Sequence, residues 1–190
     1  TDRMAITHVA HQAIRAHFQD RPLEYAVDAT CGNGHDTLFL AGLTSKRAWG
    51  FDVQSAAIEA TRTKLVTAGF EHVSLIHAGH ETMRQHIDQP IDCIMFNLGY
   101  LPRSDKTITT QADSSLLALK QATELLNSGG LISLLCYPGH DAGAIETQAV
   151  QSWLTTLDPQ HWQVTHHTAR EPKPSSPILF VLYLSLIHIS

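Results

Sequence analysis

The chain has 190 residues, about one domain's worth, and its 43% hydrophobic content is enough for a sizeable core. Charged residues make up 16% and the formal net charge is −5, which excludes a disordered chain and a protein that coats nucleic acid non-specifically. A nucleic-acid substrate held by a local basic patch stays open. Three cysteines, Cys31, Cys93 and Cys136, form no CxxC pair, so a reducing, cytoplasmic compartment fits better than a disulfide framework. No apolar run approaches the roughly 20 residues of a membrane helix, and the start lacks a signal-peptide layout.

Apolar residues at Ile6, Val9, Ala10, Ala13, Ile14 and Phe18 predict an amphipathic first helix whose polar face carries His8, His11 and His17. Short apolar runs follow at Tyr25 to Asp28, Ala48 to Val53, Val73 to Ile76, Ile91 to Asn97 and Leu131 to Tyr137. Helical stretches alternate with them at His35 to Leu43, Ser55 to Ala68, Ala112 to Leu126 and Ala142 to Leu157. Near-continuous apolar strands alternating with helices predict an α/β fold with a parallel sheet covered on both faces. Trp162 to Thr168 and Ile178 to Leu184 lack room for a crossover helix between them, so this last pair is expected to be antiparallel. The expectation is one domain over 1–190, with a seven-stranded sheet holding one reversed strand. Ser185 to Ser190 either extends the last strand or is a non-native tail.

Three signals carry chemistry. The first is the Gly-rich stretch from Val27 through Asp28, Gly32 and Gly34 to Thr37, where the first strand turns into its helix. Glycines let backbone approach a ligand, and a helix start offers unpaired N–H groups. The second is Asp52, ending the second strand, placed to accept hydrogen bonds from both ribose hydroxyls of a nucleoside. A dinucleotide fingerprint would need glycine at position 37, where Thr37 stands, and Asp28 would repel a pyrophosphate. Asp28 suits an ammonium group instead, which favours S-adenosylmethionine over NAD. The third signal is Asn97-Leu98-Gly99-Tyr100, after the fourth strand: an Asn oxygen and a following carbonyl can accept N–H bonds from a substrate amine, and Tyr100 can stack on a base.

The two stretches Asp28-Ala-Thr-Cys-Gly-Asn-Gly-His-Asp-Thr-Leu-Phe-Leu-Ala41 and Asn97-Leu-Gly-Tyr-Leu-Pro-Arg-Ser-Asp-Lys-Thr-Ile-Thr-Thr110 resemble the signatures of the MnmM (YtqB) family, and the similarity runs along essentially the whole chain. These are class I, Rossmann-like methyltransferases once labelled rRNA methylases. The resemblance implies methylation of 5-aminomethyl-(2-thio)uridine at the tRNA wobble position, with the anticodon stem-loop as partner. It implies that Asp28, Thr30, Gly32, Asn33, Gly34, His35, Asp36 and Thr37 line the methionine end of the cofactor. Asp52 then binds the ribose, Val53 or Gln54 lies beside the adenine, and Gly79 and His80 fall near its edge. Asn97 and Leu98 meet cofactor and amine, while Tyr100, Arg103, Asp105, Lys106 and Thr110 belong to the substrate side. The family commonly has two glycines where this chain has Arg103-Ser104.

A primary alkylamine must lose a proton before it attacks, and Asn97 is not basic, so His35, Asp105 and His80 are the candidate acceptors. Thirteen histidines invite a metal reading, yet no pair gains a third ligand at convincing spacing, and none is expected. Arg103, Lys106, Lys120, Arg170 and Lys173 are candidate RNA contacts, and a homodimer would join two such patches. The competing functions are methylation of rRNA or of a small-molecule amine, an NAD-dependent oxidoreductase, and a S-adenosylmethionine-binding module without chemistry.

Overall fold

A computed structural model describes residues 2–99 and 108–186. Among them the elements run α1 (Asp2–His17), β1 (Tyr25–Asp28), α2 (His35–Leu43), β2 (Arg47–Asp52), α3 (Ser55–Ala68) and β3 (Val73–His77). A 3-10 turn (His80–Thr82) leads into the short α4 (Met83–His86), followed by β4 (Ile91–Leu98), α5 (Ile108–Leu125), β5 (Leu126–Cys136), α6 (Asp141–Leu154), β6 (Trp162–His167) and β7 (Ile178–Leu184).

The seven strands form one sheet in the order β3-β2-β1-β4-β5-β7-β6. Pairing is parallel from β3 through β5, and β7 is antiparallel to both β5 and β6, so it is the one reversed strand. The predicted architecture is therefore observed.

Strand residues alternate between the two faces. Val27, Phe51, Ile94, Phe96 and Leu134 enter one core with Met83, Ala118, Leu119, Ala122 and Val150 from α4, α5 and α6. Ala26, Cys93, Met95, Leu135 and Val181 enter the other with Leu40 of α2 and Ile6, Ala10 and Ile14 of α1. The last three recur every fourth residue, one stripe of the helix, and pin α1 across the α2 face of the sheet.

The helical segment from His80 to His86 is absent from the predicted elements, because one turn of 3-10 helix and one of α-helix are too short to show a period. Likewise β5 starts five residues before the predicted Leu131. Its opening Leu126-Asn-Ser-Gly-Gly130 reads as a turn, but Leu126 pairs with Ile91, and the register shifts before Leu131 pairs with Cys93. Gly129, at φ 80°, allows this irregularity.

The strand order reverses between β1 and β4, whose carboxyl ends lie side by side. Open α/β sheets bind ligands outside such a point. Asp28 and Asn97 close these two strands, or nearly so.

Candidate active site

The turn after β1 is built by its own backbone. Cys31 N–H donates to the Phe51 carbonyl (2.9 Å), Gly34 N–H to the Cys31 carbonyl (2.8 Å), and Gly32 N–H to Asp52 Oδ2 (2.9 Å). Gly32 and Gly34 take φ of 54° and 86°, a region costly for residues with a Cβ. They differ in surroundings. A Cβ at Gly34 would lie 2.9 Å from Thr61 Oγ1 and 3.1 Å from Thr61 Cα, whereas at Gly32 its nearest neighbour would be the Thr30 carbonyl at 3.9 Å. Gly34 thus seats α2 on α3, and Gly32 borders open space. Asn33 Oδ1 accepts from His35 N–H (2.9 Å) in a local turn just ahead of α2, while Lys64 Nζ donates to the Asn33 carbonyl (2.5 Å). Gly34→Ala should cost about 2 kcal/mol or more, from left-handed strain plus the Thr61 clash, read as a lower urea midpoint at unchanged m-value.

Cys31 is buried, and its Sγ occupies the space above Gly50, where a Cβ would run into it. Burial and the Asp28 charge push its thiol well above the ordinary range, so it is a space-filler and not a nucleophile.

Asp28 departs from expectation. The sequence suggests a carboxylate offered directly to an ammonium group, yet Asp28 is completely buried beneath the turn. Thr37 Oγ1 donates to its Oδ2 (2.6 Å) and Thr30 N–H to its Oδ1 (3.1 Å). Burial, and then the charge of Asp36, raise its pKa to about 7 against those two hydrogen bonds. Its side chain braces the turn and α2 from below.

Asp36 and Thr30 tie β4 to the turn. Thr30 Oγ1 accepts from Asn97 N–H (2.7 Å), and Asn97 Nδ2 donates to Asp36 Oδ2 (2.5 Å). A carboxylate only accepts, so this contact settles the amide orientation and leaves Asn97 Oδ1 without a partner among the described residues. The other Asp36 oxygen, Oδ1, lies 2.6 Å from His11 Nε2 on α1. His11 is the residue that sequence reasoning missed. It stood only as one polar position on an amphipathic helix, and nothing in its neighbours along the chain points to Asp36.

The expectation of a second acceptor at Leu98 meets a carbonyl already bonded to Tyr137 N–H (3.0 Å) and a side chain in the core. Gly99, at φ 76°, carries the chain past α6, and its carbonyl accepts from His140 Nε2 (2.9 Å). Because Gly143 N–H donates to His140 Nδ1 (3.2 Å), that ring carries its proton on Nε2 and also caps α6. Glu146 lies beneath Gly99, accepts from Ser115 Oγ, and is pushed up by burial. None of these supports was expected.

On the other side, the half-buried Asp52 accepts from Gly32 N–H on one oxygen and Gln54 N–H on the other, both at 2.9 Å. Val53 beside it is 57% exposed, unusual for a large apolar residue at a strand end. His80 Nδ1 is buried with no hydrogen-bond partner among the described residues. Burial lowers the His80 pKa to about 4, partly offset by Asp52, so the ring is neutral. Gly79 precedes it in extended backbone and packs against the Glu81 carboxylate. Tyr100, Arg103, Asp105 and Lys106 lie outside the described residues; Thr110 falls in the first turn of α5, with its side chain undescribed. Among the described residues no group of three or more His, Cys, Asp or Glu is placed to hold a metal ion, and no helix is long and apolar enough to cross a membrane.

The sheet order and the site at its β1–β4 reversal define a Rossmann-like class I methyltransferase, a fold shared with solved methyltransferases. The chain belongs to the family described as "Putative rRNA methylase", whose model matches residues 48–183. It is 33% identical over 194 residues to the chloroplastic tRNA (mnm(5)s(2)U34)-methyltransferase of Arabidopsis thaliana, covering 95% of this chain and 70% of that one. A crystal structure from Clostridium thermocellum described as a "putative rRNA-methylase" is 37% identical with a TM-score of 0.85, over 94% of this chain and 96% of that chain. A protein from Streptococcus mutans described as "a putative methyltransferase", solved in complex with SAH, is 35% identical with a TM-score of 0.78, over 90% and 97%.

Proposed function

We propose that the protein is an S-adenosylmethionine-dependent N-methyltransferase that converts 5-aminomethyl-(2-thio)uridine at the tRNA wobble position to its methylaminomethyl form. The observation that carries the reading is Asn97, whose amide is held by Asp36 with its oxygen unpartnered among the described residues, near the end of a central strand and beside the Gly32–Asp52 turn. The tRNA substrate rests on the relationship to the Arabidopsis thaliana enzyme.

The residues present fit the cofactor. Gly32 borders open space, Val53 offers an uncovered apolar surface to a purine, and the unpaired His80 Nδ1 is a polar atom that a purine edge can satisfy. Each Asp52 oxygen accepts one backbone N–H and keeps a lone pair for a ribose hydroxyl. When bound, S-adenosylmethionine supplies a methyl carbon made electrophilic by its sulfonium.

This chain's residues then act on the amine. Asn97 Oδ1 accepts one N–H and orients the nitrogen lone pair for in-line attack. Being neutral, it does not favour the ammonium form as a carboxylate would. Of the described proton-acceptor candidates, His80 is the weaker, because burial makes it a poor base. His35 is exposed at the start of α2 and is assigned the proton, which it can pass to water. Tyr100, Arg103, Asp105, Lys106 and Thr110 are assigned to the anticodon stem-loop on the resemblance alone. The three cysteines are buried free thiols, in keeping with a cytoplasmic enzyme.

Transfer of labelled methyl groups to tRNA from cells lacking the terminal methylation, followed by nucleoside mass spectrometry, tests the reading. Label in methylaminomethyl-(2-thio)uridine is the expected result. Label in rRNA alone, or in no RNA at all, would overturn it.

A further inference from the structure

We infer that His11 is a positioning residue for methyl transfer: through Asp36 it holds the Asn97 amide with its oxygen toward the acceptor amine. The inference rests on the proposed amine chemistry but concerns a residue that precedes the first strand and lies outside both sequence signatures.

Asp36 is 5% exposed, and a buried carboxylate needs a donor on each oxygen. It has two, Asn97 Nδ2 on Oδ2 and His11 Nε2 on Oδ1. The His11 side chain is 12% exposed, and its ring lies flat on Phe39, centroids 3.7 Å apart and planes 2° from parallel. The His35 ring stacks 5.3 Å away, and Arg15 lies 5.0 Å from the centre of Phe39. The imidazole is therefore fixed in plane, with Nε2 aimed at the acid. The helix that carries it is fixed too, by Ile6, Ala10 and Ile14 in the core.

The two ends of a primary amide are nearly equal in shape, so only its partners decide which faces the crevice. With His11 in place the carboxylate has one orientation, and Asn97 has one amide rotamer that satisfies it. Without that donor the carboxylate can turn toward other donors and let go of Asn97 Nδ2, and only then is the Asn97 amide free to flip. A flipped amide presents an NH2 group, which cannot accept from an amine. The consequence falls on the fraction of productive complexes and leaves the cofactor contacts at Asp52 and Gly32 intact.

Two variants of the full chain separate this role from simple packing. His11→Phe keeps the stack on Phe39 and removes the donor; His11→Gln restores an N–H at the place of Nε2. His11→Phe is expected to lower kcat about 10- to 100-fold, with KM for tRNA and for S-adenosylmethionine within about threefold of the parent. His11→Gln is expected to recover kcat to within about threefold. Independently of activity, the Asn97 side-chain NH2 signals of 15N-labelled protein should stay resolved in the parent and in His11→Gln, and broaden or move in His11→Phe. An unaltered kcat in His11→Phe, equal losses in both variants with the Asn97 signals unmoved, or a parallel loss of cofactor affinity would each overturn the inference. Should the parent methylate no tRNA, the proposed function fails, while the Asn97 signals still decide whether His11 governs that amide.

Discussion

Replacing Asp28 by Asn is expected to stabilise the ligand-free protein above neutral pH and to weaken its grip on S-adenosylmethionine. In the folded chain burial and the nearby Asp36 raise the Asp28 pKa from 3.8 to about 7. The folded state therefore holds a proton that the unfolded state has released, and stability falls as pH rises from about 4 to about 7. Above that window the full penalty remains. Asn is neutral throughout, its oxygen can accept from Thr30 N–H, and its amide can donate to the Thr37 hydroxyl. The variant should match the parent near pH 4 and exceed it at pH 8 by on the order of 1–3 kcal/mol, several degrees in melting temperature for a domain of this size.

The same change should cost affinity. S-adenosylmethionine carries two positive centres and one negative, so an anion under the crevice floor attracts it. A pair of unit charges about 7 Å apart at an effective dielectric near 20 is worth roughly 2 kcal/mol, so affinity at pH 8 should fall at least about tenfold. In the parent at pH 7 binding should also release part of a proton, since a cation above Asp28 favours its ionised form; the release should vanish in Asp28→Asn. Melting curves across pH and calorimetry in buffers of different ionisation enthalpy read both effects. A flat difference in melting temperature from pH 4 to 8, or equal affinity in parent and variant, would show that the acid under the floor has neither role.

What could be read from the chain follows from how local each feature is. β1, α2, α3 and β7 have the residue bounds that composition predicts, because a switch from strand-like runs to helical spacing marks both ends. The reversed strand was legible from the short Pro-rich link before it. The early start of β5 was not, because Asn127, Ser128, Gly129 and Gly130 have turn chemistry, and only the neighbouring β4 draws Leu126 into a ladder.

The site divides the same way. Asp28 and Asp52 end their strands and Gly32 lies in the turn after β1, where βα connections place ligand-facing groups, so their positions were legible from spacing alone. The depth of Asp28 was not, since it depends on Thr37, a turn into α2, folding back over the carboxyl. His11 and Asp36 stand 25 residues apart, and His140 reaches Gly99 across 41. Those contacts exist only because α1 and α6 cross the strand ends, and no periodicity within either helix records what lies beneath it. The same holds for Leu98, whose carbonyl takes its N–H partner from Tyr137, the residue just past β5.

Removing the Asn97 side chain should give the largest loss of turnover. Asn97→Ala takes away the amine's acceptor and leaves Asp36, buried, with His11 as its one side-chain partner among the described residues. The backbone bond from Asn97 N–H to Thr30 survives, so the turn and Asp52 keep their places. The expected pattern is kcat lower by about 100- to 1,000-fold, with S-adenosylmethionine affinity within about threefold, because the lost interaction acts on the reacting nitrogen. Asn97→Asp probes the reason. It keeps an oxygen for the amine but sets a second carboxylate against Asp36 and favours the ammonium form of the substrate, which has no lone pair to give. It should bind aminomethyl tRNA at least as tightly as Asn97→Ala does and recover little of the rate. Single-turnover transfer and calorimetry on the three proteins separate these effects. If Asn97→Asp turned over as fast as the parent, orientation by a neutral acceptor would not be what the amide contributes. If Asn97→Ala lost cofactor affinity in step with rate, the side chain would belong to the cofactor's wall, and the amine would have to be held elsewhere.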